Sequence, residues 1–182
     1  MKRAVILFAE GYETVEALLV VDLLRRGGVE VTMASITEDE FVRSSHGVNV
    51  EMDAVLGEVD ILDYDAIILP GGMPGTLNLG ASAIVNEVIK KFAAQGKIVA
   101  AICAAPSVLG GLGILEGKKA ACYPGFEDKL KGAEVVFDQV VRDGNVTTSR
   151  GMGTAIPFAL DLVSQLVSKE KAQELKKGII YG

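Results

Sequence analysis

Histidine is nearly absent from this chain: His46 is the only one among 182 residues. Cysteine is almost as scarce, with Cys103 and Cys122 alone and no CxxC pair. A zinc site would lack soft ligands. Two cysteines do not make a disulfide framework either, so the expected setting is reducing and cytoplasmic. Positive charge is thin as well. Eighteen basic residues face 24 acidic ones, for a net charge of −6, and no basic run is long. Nucleic-acid binding needs a concentrated positive face to neutralise phosphates, so none is expected. The N-terminal apolar stretch after MKR is too short for a signal peptide, and no cleavage-like site follows it. Residues 98 to 115 carry no charge over eighteen positions, but Pro106, Gly110, Gly111 and Gly113 interrupt them. That pattern favours a buried strand followed by a buried helix over a membrane span.

What the chain does have is alternation. Apolar runs at Arg3 to Ala9, Val29 to Ile36, Ala66 to Leu69 and Ile98 to Ile102 are expected strands. Between and after them, helical periodicity covers Thr14 to Arg26, Ile84 to Ala94, Ala104 to Leu112, Thr154 to Val167 and Lys169 to Lys177. Phe41 to Val50 has the turn chemistry of a small hairpin, and Asp143-Gly144 between two β-branched runs marks another. An apolar content of 49% in this length suits one domain spanning 1–182. Strands separated by helices imply βαβ units and a mostly parallel sheet with helices on both faces. Ligands of such sheets bind beyond the carboxyl ends of the strands. Glu10 to Glu16, Gly71 to Gly75 and Cys103 to Pro106 leave the core strands there, and are expected to converge.

In KIVAAICAAPSVLGG, Cys103 stands at a strand-to-helix join, with Ala101 two before it and Ala105 two after. A sharp turn that exposes a nucleophile needs small residues at those two places. The following helix N-terminus would favour thiolate and lower the thiol pKa. Spacing alone leaves a small buried filler as an equal alternative. Glu16 shares a helical stripe with Leu19, Val20, Leu23 and Gly27. A carboxyl on an apolar stripe is desolvated, its pKa rises, and it becomes a hydrogen-bond donor. The plain alternative is a first-turn glutamate that complements the helix dipole. Glu13 lies near the same side. Gly71 and Gly72, after AIILP, could offer backbone N–H groups to an oxyanion, although PGG is also an ordinary turn. No GxGxxG follows the first strand, and GILEGKK lacks the P-loop spacing.

Together GYETVEALLVVDLLRRGG, AIILPGGMPG, AAICAAP, CYPGFEDKL and TSRGMGTAIPFAL run the length of the chain. In these motifs the sequence resembles the ThiJ/PfpI superfamily, on the branch of the human parkinsonism-associated protein deglycase. The resemblance implies a flavodoxin-like three-layer α/β sandwich and a homodimer. It casts Cys103 as a reactive, oxidisable cysteine and Glu16 as the acid bonded to it. Gly71, Gly72 and the Ala104 N–H line the pocket in that reading, and Glu13 and Arg26 belong to its dimer-side surroundings. His46 falls where some relatives place an arginine approaching the partner's site. Tyr123 stands where human-type proteins have histidine, so a mechanism needing imidazole at that position does not carry over. With Ala104 after the cysteine and no histidine beyond Cys103, a cysteine peptidase or amidase is disfavoured. The implied activity is cofactor-free and metal-free chemistry on 2-oxoaldehydes or on glycated protein or nucleotide adducts, of the glyoxalase/deglycase type. A redox sensor or chaperone using the same cysteine is the alternative.

Overall fold

The computed structural model describes all 182 residues. The first half of the chain forms β1 (Arg3–Phe8), α1 (Thr14–Arg26), β2 (Glu30–Ser35), β3 (Phe41–Arg43), β4 (Asn49–Glu51), β5 (Ala54–Val55), β6 (Ala66–Leu69), α2 (Gly75–Ala81) and α3 (Ala83–Ala94). The second half forms β7 (Ile98–Ile102), α4 (Pro106–Gly111), β8 (Lys119–Ala120), β9 (Glu134–Val135), β10 (Val140–Asp143), β11 (Val146–Ser149), α5 (Ala155–Leu166) and α6 (Lys169–Gly178). Seven strands make one sheet in the order β10-β11-β7-β6-β1-β2-β5. Only β10 runs antiparallel, joined to β11 by the turn at Gly144, whose φ of 60° suits glycine.

A parallel strand covered on both faces is apolar along most of its length. β1 shows it after Arg3: Ala4, Ile6 and Phe8 pack toward α1, α5 and α6, while Val5, Leu7 and, just past the strand, Ala9 pack toward α2, α3 and α4. The result is the three-layer, flavodoxin-like sandwich. α1 carries Glu16 in its first turn and Arg25 and Arg26 in its last, each sign matching the local end of the helix dipole. Gly28, at φ 86°, then turns the chain into β2. Ser82 and Ser168 cap α3 and α6 by accepting the N–H groups of Val85 and Lys171.

The uncharged stretch from 98 to 115 divides into β7 and α4, and no helix is long and apolar enough to cross a membrane. Three departures from the sequence reading stand out. The helix expected from Ala104 starts at Pro106, leaving Cys103 to Ala105 as a turn. α2 is a seven-residue helix bracketed by Pro74 and Ser82, too short to show a periodic stripe. The third is β8 and β9, two residues each, which exist only through their mutual pairing.

Candidate active site

Four loops leave the carboxyl edge of the sheet side by side, after β1, β6, β7 and β11. Hydrogen bonds stitch them together: Glu13 N–H donates to Gly71 O at 2.8 Å, and Gly75 N–H to Gly11 O at 3.1 Å. Cys103 N–H donates to Ser149 O at 3.0 Å, and Tyr123 N–H to Cys103 O at 2.8 Å. The three loops expected to converge do so, and the fourth, after β11, completes the ring.

Cys103 has a φ of 66°, in the left-handed region that a side chain bearing a Cβ normally avoids. Such a conformation costs on the order of 1 kcal/mol and persists only where the surroundings hold it. The surroundings here are slim: Ala101 and Ala105 are fully buried against the turn. The sulfur is thereby lifted into a pocket of about 340 Å³. Glu13, Glu16, Gly72 and Ala104 line its polar side, and Met73, Tyr123, Phe126 and Met152 its apolar side.

Glu16 is 2% exposed. Its Oε2 accepts the Gly71 N–H at 3.0 Å, and the carboxyl also accepts the Met152 N–H and hydrogen-bonds the Cys103 thiol. Burial pushes its pKa up to about 7, against the pull of those three hydrogen bonds, with a small upward push from Glu13. The desolvated carboxyl expected from the stripe is present with its raised pKa, but it accepts its hydrogen bonds and does not act as the expected donor. Leu23, Val20 and Gly27 share the buried face with it.

The expectation of a depressed thiol pKa does not hold. Burial first, then the Glu16 anion and its hydrogen bond, push Cys103 up to about 12, against the N–H groups of Ala104 and Gly72 that face the sulfur. α4 begins three residues beyond the cysteine, at a proline with no N–H to offer, so the helix end contributes little. Above about pH 7 the pair therefore carries one negative charge and one proton between them, since two adjacent anions repel.

Gly71 is also corrected in its role. Its N–H is spent on Glu16, leaving Gly72 and Ala104 as the donors toward the sulfur. What Gly71 supplies is space: a Cβ there would lie 2.5 Å from Cys103 Cβ and 2.6 Å from Glu16 Oε2. Gly71→Ala is expected to force the pair apart and to lower the unfolding free energy by about 1–3 kcal/mol, read by urea titration.

The remaining expected residues sit further out. Glu13 is on the rim, its Oε2 3.3 Å from Ser45 Oγ and 3.8 Å from His46 Nδ1. His46 itself is exposed and is not among the residues lining the pocket, so it does not serve as a base for Cys103. Tyr123 forms a half-exposed wall. Arg26 lies at the far end of α1, exposed and paired with Asp22 at 2.7 Å, away from the pocket. No third acidic, cysteine or histidine side chain joins Cys103 and Glu16 in a metal-holding group. Met73, Phe126 and Met152 escaped the sequence reading. Apolar lining has no signature, and Met152 acts through its backbone.

These features define an α/β sandwich that presents a half-buried cysteine beside a buried glutamate at the carboxyl edge of its sheet. The chain belongs to the DJ-1/PfpI family, whose model matches residues 2–165. It is 39% identical over 181 residues to the Drosophila melanogaster protein dj-1beta, covering 98% of this chain and 97% of that one. The glutathione-independent glyoxalase DJR-1.2 of Caenorhabditis elegans is 36% identical over 179 residues, 97% of this chain and 95% of the other. Protein DJ-1 homolog B of Arabidopsis thaliana is 41% identical across 98% of this chain, which spans only 41% of that longer protein. Oxidised DJ-1 from Toxoplasma gondii superposes with a TM-score of 0.96 at 38% identity, each chain fully covered.

Proposed function

We propose that the protein is a cysteine-dependent, cofactor-free enzyme for 2-oxoaldehydes or their early adducts, converting methylglyoxal to lactate without glutathione. The observation that carries this reading is the Cys103–Glu16 pair, which shares one proton in a small half-apolar pocket. The worm glyoxalase supports it as a relative of nearly equal length.

The chemistry needs only that proton and one water. The Glu16 carboxylate takes the thiol proton as the sulfur bonds the aldehyde carbon, and returns it to the new alkoxide to give a hemithioacetal. The freed carboxylate then removes the C–H proton of that carbon and delivers it to the neighbouring ketone carbon. The hydroxyl proton of the first carbon passes to the oxygen of the second, leaving a lactoyl thioester on Cys103. The aldehyde carbon is oxidised and the ketone carbon reduced, so no outside electron carrier enters. Water cleaves the thioester, releases lactate and restores the thiol. The Gly72 and Ala104 N–H groups, which face the sulfur, are placed to steady the oxyanions formed beside it.

The test supplies methylglyoxal with no glutathione and follows lactate. The pH profile is also set by the pair. Below about pH 7 both groups are protonated and no base is present, so kcat/KM is expected to fall about tenfold per unit below about pH 6. Above about pH 7 it reaches a plateau. A rate indifferent to pH from about 5 to 8 overturns the role given to Glu16.

A second reading rests on the same surroundings. Two N–H groups and a carboxyl near its midpoint at neutral pH are suited to hold a cysteine sulfinate, so oxidation at Cys103 could serve as a signal. Peroxide titration followed by intact mass tests it. Resistance to oxidation until the protein unfolds removes it.

A further inference from the structure

The pocket over Cys103 holds two acidic side chains and no basic one. Glu13 and Glu16 line it, and no lysine, arginine or histidine does. Nothing basic acts on the sulfur either: besides burial, it feels Glu16 and the N–H groups of Ala104 and Gly72. Arg150, on the loop after β11, turns its guanidinium over the Phe137 ring, 5.5 Å from the centroid, and is not part of the lining. The two acids differ in what they do. Glu16 is buried and committed to the thiol, Gly71 and Met152. The side chain of Glu13 is 14% exposed, and its carboxyl accepts one hydrogen bond, from Ser45 Oγ at 3.3 Å. Its one ion pair is with His46, 3.8 Å away on the rim, an imidazole that is charged only when protonated.

A substrate bonded to the sulfur must place its remaining atoms among these groups. The oxyanion that forms beside the sulfur is met by the Gly72 and Ala104 N–H groups. A second negative charge, carried on the tail, meets no cation. It faces Glu13 beside an apolar wall of Met73, Phe126 and Met152, where thin hydration strengthens the repulsion between like charges. We propose that Glu13 is a specificity-determining residue. It makes the pocket reject carbonyl substrates whose tail carries a carboxylate, and accept uncharged ones whose tail lies on the apolar wall. At about 340 Å³ the pocket has room for a tail longer than the methyl group of methylglyoxal. The substrate class rests on the 2-oxoaldehyde reading given above, whereas the charge selection rests on the lining alone.

Two experiments test the assignment, and they fail independently. The first needs no turnover. Cys103 is alkylated with iodoacetamide and with iodoacetate, which are alike in shape and differ in charge, and peptide mass locates the label. The rate ratio, amide over acid, is expected to exceed that of 2-mercaptoethanol at least about tenfold. Glu13→Gln and Glu13→Ala, each checked for folding by circular dichroism, should cut this excess several-fold, and what remains belongs to Glu16. The second experiment compares 4,5-dioxopentanoate with its methyl ester. The same internal rearrangement and hydrolysis would turn them into 2-hydroxyglutarate and its monomethyl ester. Wild-type kcat/KM should favour the ester at least about tenfold, and Glu13→Gln should narrow the gap mainly through KM.

Equal treatment of the two alkylating reagents, once corrected by 2-mercaptoethanol, overturns the assignment. So does a wild-type ratio in the folded Glu13 variants. Discriminating alkylation in a protein that turns over neither dioxo compound upholds the charge selection and removes the 2-oxoaldehyde reading. Turnover of acid and ester at equal rates does the reverse.

Discussion

Cys103→Ser is expected to leave lactate formation at least about 10³-fold below wild type, with the fold intact. Serine is close in shape and keeps the backbone bonds to Ser149 and Tyr123, so the left-handed turn survives. Its hydroxyl is far less acidic than a thiol, and Glu16, with a pKa of about 7, is too weak a base to activate it without further help. Glu16→Gln should fail almost as completely, for a different reason. It keeps a hydrogen-bonding group beside the sulfur but has no carboxylate to move a proton between carbons. A trapped hemithioacetal in that variant, seen by intact mass after methylglyoxal, would separate the two roles. Turnover at the wild-type rate in Cys103→Ser sinks the proposed chemistry outright.

The second large effect is on stability. The Glu16 pKa rises from 4.5 to about 7 on folding, chiefly through burial. Between those values the native state holds a proton that the unfolded chain has released, so the native state binds more protons. Stability from this group is therefore full below about pH 4.5 and is lost as pH rises through about 7. The loss amounts to about 3 kcal/mol, at roughly 1.4 kcal/mol per pKa unit. Urea titrations at about pH 5 and about pH 8 should show wild type losing most of this amount relative to Glu16→Gln, whose side chain does not titrate. Parallel behaviour of the two proteins would mean that Glu16 is solvated and ordinary. Asp65, held below its usual value although its burial opposes this, acts at lower pH: Lys2 and the Arg3 N–H bond its carboxylate, and that support is lost as pH falls further.

Much of this architecture was legible because a doubly covered parallel strand tends to be apolar along its length, as β6 and β7 are throughout and β1 is after Arg3. Elements held by distant partners were not. β5 survives on two pairs with β2, and β8 on two with β9, and neither has enough length to leave a pattern. α2 hides between a proline and a serine cap. Within the site, Glu16 was legible as a charge on an apolar stripe, and Cys103 as a cysteine between alanines. The direction of the thiol pKa was not, because spacing shows neither how deeply the sulfur is buried nor how near the anion on another helix comes. The Met152 N–H was equally out of reach, since every residue but proline has that group.

The clasp at Gly71 has a mechanical meaning. This residue gives its carbonyl to Glu13 and its N–H to Glu16, so the start of α1 is gripped twice by the loop leaving β6. The acid is thus gauged from the sheet that also carries the cysteine, and not from the helix on which it grows. Moving the start of α1 away from β6 would break both bonds at once, so the carboxyl keeps its register with the sulfur while they hold. Alignment of the thiol and the carboxyl is built like a jig, with both parts located on one plate, and the bare α-carbon of Gly71 is the clearance that lets them meet.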